Sequence, residues 1–319
     1  MPALDEARFT ELTERHRGEL RVHSYRMLGN FEQAEDAVQE ALLRAWKGRA
    51  SFASAGDDWA TGARAWLYRI VTTTCLDILR AAQRQARRLP APGEVPWLQP
   101  YPDGLLDEAA GPEGSAIRRE TVELAYLAVI QLLPAKQRAV LLLRDVQGYS
   151  AAETADILGV SVATVTSALQ RARATIAGRV AARDADWSPS EITEADRALL
   201  TAFIEAHERQ DPVASLAAIR DDIRVTMPPF PGVFTGRDAM AGLMAHAFDR
   251  SVFGDWKLLP TAANRMPAAA SYLRRDGSER YLPFKLDVLR IGGGLIAEIT
   301  TFEPKLFDRF GLPAFLPAS

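Results

Sequence analysis

Ser161, Thr164, Ser167, Gln170, Arg171 and Arg173 crowd into one short stretch, and residues 161–183 carry four arginines and no acid. Hydroxyls and amides hydrogen-bond to base edges, and arginines hold phosphates or guanine. The chemistry on offer is DNA recognition rather than bond-making. The surrounding text, YSAAETADILGVSVATVTSALQRARATI, supplies the elements that must position these groups. Ser150 and Glu153 form a capping-box signature that opens a short helix. Ala155 is small enough for a second helix to cross closely. Gly159 suits a left-handed turn, where a Cβ is penalised. Val165 fills the space between the helices, and Ser161 stands where it can cap the second one. The pattern is that of a helix-turn-helix, which brings the N-terminal part of its second helix to base edges in the major groove.

The rest of the chain sets the context. Its 319 residues are enough for two or three domains. A hydrophobic share of 48% and a charged share of 25% are ordinary for a globular protein. No apolar run approaches the roughly 20 residues that span a bilayer. The N-terminus, MPALDEARFTELTERH, is acidic and polar, so no secretory signal and a cytoplasmic location are expected. Cys75 is the one cysteine, which excludes an intramolecular disulfide and reads as a small buried thiol. The net charge of −3 hides an uneven distribution. Residues 64–88 hold six arginines against Asp77, whereas residues 89–123 hold seven acids against Arg118 and Arg119. Two basic segments flanking an acidic one fit two DNA-contacting modules.

Periodicity divides the chain further. Residues 5–88 read as helices. Ala34, Val38, Ala41, Leu42, Ala45 and Trp46 share one helix face, and a second helix over residues 63–85 carries Leu67, Ile70, Val71, Thr74 and Ile78 on one side. SFASAGDDWATG between them reads as a loop. Residues 89–114 are rich in Pro and Gly, which excludes a long helix. Trp97, Leu98 and Tyr101 are too apolar for a solvated tether, so this stretch is expected to dock. Residues 115–183 return to helix. Residues 190–319 begin with a helix, continue with a Leu-rich helix ending in RDDIRVTMPP and the helix GRDAMAGLMAHAF, and then show strand-like runs near residues 256–259, 268–274, 281–289 and 296–302. Helices first and strands later suggest an α+β domain.

These residues resemble a known family. LLPAKQRAVLLLRDVQGYSAAETADILGVSVATVTSALQRAR looks like the promoter −35-binding domain of extracytoplasmic-function (ECF) sigma factors, with Leu133-Pro134, Thr164-Val165 and Arg171-Ala172-Arg173 in place. AEDAVQEALLRAW resembles the helix that docks on the clamp of the polymerase largest subunit, and WLYRIVTTTCLDILRAAQR resembles the −10 helix. Two matches in the right order cover residues 5–183. The resemblance implies RNA polymerase core and promoter DNA as partners. Asp36, Gln39, Glu40 and Arg44 share one polar helix face and would meet polymerase. Asp58, Trp59, Thr61, Arg64, Thr73, Asp77, Arg80 and Arg84 would serve the −10 element, with Asp57 beside them and Arg80, Arg84, Arg87 and Arg88 lining phosphates. Ser161, Thr164, Thr166, Ser167, Gln170, Arg171 and Arg173 would serve the −35 element. Two departures stand out. Thr72-Thr73 replaces a basic residue and an Asn common in the family, and Thr166-Ser167-Ala168 replaces Lys-Ser-Arg. Either promoter contacts differ or tight complex formation leans on another region.

Residues 190–319 resemble the SnoaL-like cone, a curved sheet wrapped by helices around an apolar pocket, which some ECF sigma factors carry. The linker text WLQPYPD resembles one seen in that subgroup. The expected architecture is multidomain: two all-α sigma domains at 5–88 and 115–183, the second with the helix-turn-helix, a linker at 89–114, and an α+β cone-shaped SnoaL-like domain at 190–319. Asp238, His246 and Glu298 are the only groups in that block that suggest catalysis. The expectation is a regulatory domain rather than an enzyme, with no cofactor, no metal and no membrane association. A small ligand of unidentified chemistry in its pocket would bias the spacing of the sigma domains. Two other readings fit parts of the chain: a ligand-sensing helix-turn-helix regulator, which leaves residues 5–88 without a purpose, and a SnoaL-like enzyme fused to a DNA-binding module, which requires turnover.

Overall fold

The computed structural model describes residues 5–52, 59–85, 95, 97–110, 122–181 and 192–318. The chain divides into two units, Met1–Gly93 with Leu105–Ala185, and Glu94–Gly104 with Asp186–Ser319.

The first unit is helical. Asp5 caps α1 (Glu6–Leu28) by accepting from the Arg8 amide. Gly29, at φ 71°, ends α1 in the left-handed conformation, and Asn30 caps α2 (Phe31–Gly48). Ala34, Val38, Ala41 and Ala45 bury the apolar face of α2, with Leu42 and Trp46 at its margin. The loop expected through Gly62 is shorter than that, because α3 (Trp59–Gln85) already starts at Trp59. A short helix, α4 (Asp103–Ala110), interrupts the Pro-rich segment. Its Ala109 lies so close to Gly18 of α1 that a Cβ there would stand 2.7 Å from the Ala109 Cα. Then come α5 (Leu124–Gln131) and α6 (Ala135–Leu141), which runs into a π-helical turn at Leu142–Val146. The helix-turn-helix is α7 (Ala151–Leu158) and α8 (Val162–Ala181).

One core joins these helices. Phe9, Leu12, Val38, Leu67 and Val71 from α1 to α3 share it with Leu143, Tyr149 and Ile157 from the helix-turn-helix region. A polar clasp closes the other side. Arg138 is buried and donates to the carbonyls of Met27, Gln131 and Leu133, while Gln131 Nε2 donates to the Arg26 carbonyl at 3.0 Å. These bonds satisfy orphan carbonyls at the C-terminal ends of α1 and α5.

The second unit begins with α9 (Glu194–Glu208), opened by a Thr193/Asp196 capping box, and α10 (Pro212–Ala217). The segment RDDIRVTM, expected to end a helix, is instead most of strand β1 (Ile219–Met227). Its buried Ile219, Ile223 and Val225 stand four and two positions apart, an even spacing that puts them on one face of a half-buried strand. β2 (Phe230–Thr235), α11 (Arg237–Ala247), β3 (Asp255–Ala263), β4 (Met266–Arg274), β5 (Arg280–Gly292) and β6 (Leu295–Phe302) follow. They form one sheet in the order β2-β1-β6-β5-β4-β3, with a two-residue β7 (Leu316–Pro317) on β5. Only β1 and β6 pair in parallel among these strands. Register shifts in β1, β4 and β5 bend the strands.

The linker residues 95 and 97–104 dock as expected. Val95, Leu98 and Tyr101 are buried. The Tyr101 amide donates to Asn264 Oδ1 at 2.8 Å, and the Asn264 amide returns a bond to the Tyr101 carbonyl at 2.9 Å. The Arg265 amide donates to Asp103 Oδ1 at 2.8 Å. Asn264 and Arg265 turn β3 into β4 with φ of 57° and 60°, the double left-handed turn of a two-residue hairpin.

Cys75 lies fully buried on α3, and burial pushes its thiol up to about 12. The folded protein is therefore expected to leave Ellman's reagent unreacted over hours and to release one equivalent of thiolate chromophore once unfolded in urea.

Candidate polymerase and promoter interface

The helix-turn-helix forms as its text requires. Ser150 Oγ accepts from the Glu153 amide at 3.1 Å, and Glu153 Oε2 accepts from the Ser150 amide at 2.7 Å. Gly159 takes φ 63° and ends α7. Ala155 and Val165 are buried between the helices, and Ser161 Oγ accepts from the Thr164 amide at 3.2 Å. Ser161, Thr164, Thr166, Gln170, Arg171 and Arg173 are exposed along one side of α8, with Ser167 half-buried. Arg173 is not free there. It donates two bonds, at 2.9 and 2.7 Å, to Asp145 on the π-helical turn. With the Arg173 side chain 61% exposed, such a pair is worth about 0–1 kcal/mol, little enough for a phosphate to replace Asp145. The departure at Ala168 has a physical reason: this position faces the core, so a cation here would not reach solvent.

Asp36, Gln39, Glu40 and Arg44 do line one exposed face of α2. Leu43 joins them and is 56% exposed, an apolar group that polar spacing alone did not flag. Arg44 bonds Glu40 at 2.7 Å and Asp77 of α3 at 3.2 Å, and Asp77 also pairs with Arg80 at 2.7 Å. The face expected to meet polymerase is thus continuous with the outer side of α3, where Thr73, Arg80 and Arg84 are exposed. Thr72, the second departure, is fully buried and shares a 2.9 Å hydrogen bond with His23, so no basic side chain fits at that site. Trp59 and Thr61 belong to the first turn of α3; their side chains, and Asp57, Asp58, Arg87 and Arg88, lie outside the described residues.

Arg64 has partners within the chain. Expected on the −10 element, it is half-buried in a polar cluster. Its guanidinium pairs with Glu19 at 2.7 Å and donates to Tyr149 Oη and to Gln147 Oε1, each at 3.1 Å. Tyr68 Oη lies 2.9 Å from Gln147 Oε1 and 3.1 Å from Glu19 Oε2. The guanidinium also sits over the Tyr68 ring, 4.7 Å from its centroid. Burial opposes the charge on Glu19, but the bonds from His16 and Arg64 overcome it and hold the carboxyl down to about 2. Sequence spacing hid this because the partners stand 45, 83 and 85 positions from Arg64.

The three groups that suggested catalysis do not converge. Asp238 is exposed on α11, and Glu298 is buried on the sheet in ion pairs with Arg224 and Arg290. His246 alone lines the cavity of this unit, about 330 Å³ in volume. The other polar groups gathered there are His207, Lys285, Asp287, Thr301 and Glu303, the last paired with Lys305 at 2.6 Å. Lys285 and Asp287 alternate along β5 and so share a face, a period-two signal present in the text FKLD. Among the described residues no group of His, Cys, Asp and Glu has a metal-binding arrangement, and no helix is long and apolar enough to cross a membrane.

A helix-turn-helix coupled to a helical module with a mixed polar face defines a DNA-binding transcription protein. Comparison with known proteins sharpens that class. Residues 12–85 match Sigma-70 region 2 and residues 123–176 match Sigma-70, region 4. The chain is 38% identical over 320 aligned positions to the ECF RNA polymerase sigma factor SigG of Mycobacterium tuberculosis, covering 96% of this chain and 84% of the relative. It is 30% identical to SigW of Bacillus subtilis, over 53% of this chain and 87% of that protein. The crystal structure of the M. tuberculosis ECF sigma factor SigJ has the same fold, with a TM-score of 0.63 at 21% identity, covering 97% of this chain and all of the other. The chain belongs to the ECF RNA polymerase sigma factors. Its second unit has an α+β fold, as the resemblance to the SnoaL-like cone implied.

The Glu19 cluster gives a pH dependence of known sign. A carboxyl whose folded value is depressed contributes stability that is present above its ordinary 4.5 and lost as pH falls toward about 2. Comparing the wild type with Glu19→Gln by urea unfolding, the stability gap is expected to hold steady above pH 4.5 and to close progressively toward pH 2. Groups that titrate alike in both proteins cancel in this difference.

Proposed function

We propose that α2 presents Asp36, Gln39, Glu40, Leu43 and Arg44 to the polymerase clamp. In this reading the outer side of α3, with Thr73, Asp77, Arg80 and Arg84, serves the −10 element, together with Asp58, Trp59 and Thr61. The exposed side of α8, with Ser161, Thr164, Thr166, Ser167, Gln170, Arg171 and Arg173, serves the −35 element. The SnoaL-like domain modulates this activity.

One observation carries the modulation: the reciprocal bonding of the Tyr101–Asp103 stretch to the Asn264–Arg265 turn. That stretch joins the two sigma modules in sequence, so whatever moves the SnoaL-like sheet acts on the tether that sets their separation. The need for separation is geometric. The −10 and −35 elements lie about 25 base pairs apart, on the order of 80 Å of duplex at about 3.4 Å per pair. The 27-residue α3 is only about 40 Å long, and the helix-turn-helix shares its core. Reaching both elements therefore requires the helical unit to open.

In transcription with purified core polymerase over a promoter library, the chain is expected to initiate at one promoter class. Arg44→Ala is expected to weaken core binding about tenfold, an interface anchor's loss. Arg171→Ala should leave core binding alone and weaken promoter binding in a salt-dependent way. Asn264→Ala removes a buried bond worth about 1–3 kcal/mol to the group left unpaired, and should change promoter output several-fold while core affinity in a promoter-free assay stays constant. Output identical to the wild type for Asn264→Ala would refute the modulation. Failure to initiate with core at any promoter would refute the site assignment.

A further inference from the structure

The cavity of the SnoaL-like domain is a built ligand site, and its chemistry selects an occupant. Its wall is aromatic: Phe203, Phe253, Trp256 and Phe284 line it, with ring centroids 5.2–5.9 Å apart in the Phe253, Trp256 and Phe284 group. Edges and faces at these separations accept a further aromatic ring. Met227, Met240 and Met244 complete the wall with side chains that adapt to shape. A volume of about 330 Å³ sits at the small end of ligand pockets, which run from about 300 to 1,000 Å³, and suits one or two fused rings.

The polar groups are few and specific. Asp287 is buried. It accepts from Thr301 Oγ1 at 2.6 Å, its register partner across β5 and β6, and pairs with Lys285 Nζ at 2.8 Å. That pair is neutral as a whole. An anionic ligand would meet the Asp287 carboxylate, and a cationic one would displace Lys285 from it; either leaves a buried charge uncompensated. His207 is buried at the C-terminal end of α9 with its ring edge-on to Phe248 and Trp256, and its Nε2 has no hydrogen-bond partner. Burial, with Lys285 nearby, holds this imidazole neutral. A neutral ring nitrogen without a partner beside an apolar wall gains a hydrogen bond when an occupant brings a hydroxyl to it.

We propose that this site takes a neutral, aromatic small molecule of one or two rings bearing a hydroxyl group, with the hydroxyl on His207 and the rings among Phe253, Trp256 and Phe284. This rests on the reading of the SnoaL-like domain as a modulator and names the class of effector it would sense.

Calorimetry on the full chain tests it with a matched set: 2-naphthol, naphthalene, 2-naphthoate and 2-naphthylmethylammonium. Saturable one-to-one binding of 2-naphthol is expected, with both ions at least tenfold weaker. In His207→Phe, whose folding is checked by its melting temperature, 2-naphthol should weaken about tenfold, one hydrogen bond's loss, and fall level with naphthalene. Leu243→Trp, which fills the cavity from α11, should abolish binding of both. No saturable 2-naphthol binding by the wild type, an ion binding as tightly as 2-naphthol, or a hydroxyl preference that survives in His207→Phe would each overturn the proposal. These measurements need no polymerase, so their failure is distinct from failure of the transcriptional reading.

Discussion

A single half-buried guanidinium ties the helical unit together. Arg64 answers Glu19 on one side and Tyr149 and Gln147 on the other, so the helix expected to melt promoter DNA and the helix-turn-helix share one polar cluster. Removing one partner of a buried pair costs about 3–5 kcal/mol, because the other charge is left uncompensated. Glu19 and Arg64 keep side-chain exposures of 26% and 28%, which places this pair toward the lower figure. A cluster of that strength joins the two modules within one helical unit. The clasp of Arg138 on the end of α1 adds to it, and burial lowers that guanidinium to about 10, so its carbonyl bonds offset a real desolvation cost.

What was legible in the sequence is what is local. The capping box at Ser150 and Glu153, the left-handed Gly159 and the buried Val165 all follow from side chains acting within a few residues of themselves, and each formed as read. The α2 face followed from helical spacing. What depends on distant partners was not legible. Arg64 read as a −10 residue because its place in a basic segment was visible and its partners were not. Of the cations that the departures from the family remove, those at Thr72 and Ala168 fall on buried positions, and the one at Thr166 falls on an exposed one. In the SnoaL-like domain, Asp238, His246 and Glu298 were chosen by residue type. The cavity is set by which strand residues share a face, and that gathers Lys285, Asp287 and Thr301 with His207 from α9. The strand β1 was taken for the end of a helix because a Leu- and Ala-rich stretch precedes it, although its β-branched residues carried the opposite signal.

The net charge of −3 is compatible with DNA binding because charge is uneven along the chain: residues 161–183 hold four arginines and no acid, and residues 64–88 hold six arginines against Asp77. Several of them are held in weak pairs within the chain itself: Arg80 with Asp77, and Arg173 with Asp145. Exposed pairs of this kind exchange for phosphate at little cost. The chain thus keeps its cations partnered when closed and offers them when a stronger anion arrives. Modulation through the Tyr101–Asn264 bonds fits this economy of small energies, since a shift of a few kcal/mol in the tether suffices to change which state prevails.

The closed-to-open transition is the claim on which this mechanism stands. A spin-label distance measurement tests it most directly. Labels at Gln33→Cys on α2 and Thr175→Cys on α8 sit on exposed positions, and buried Cys75 does not interfere. Free protein should give one short distance, and addition of core polymerase should lengthen it by tens of ångströms, as separate −10 and −35 contacts demand. A distance that stays short while the labelled protein and core initiate transcription would contradict the mechanism.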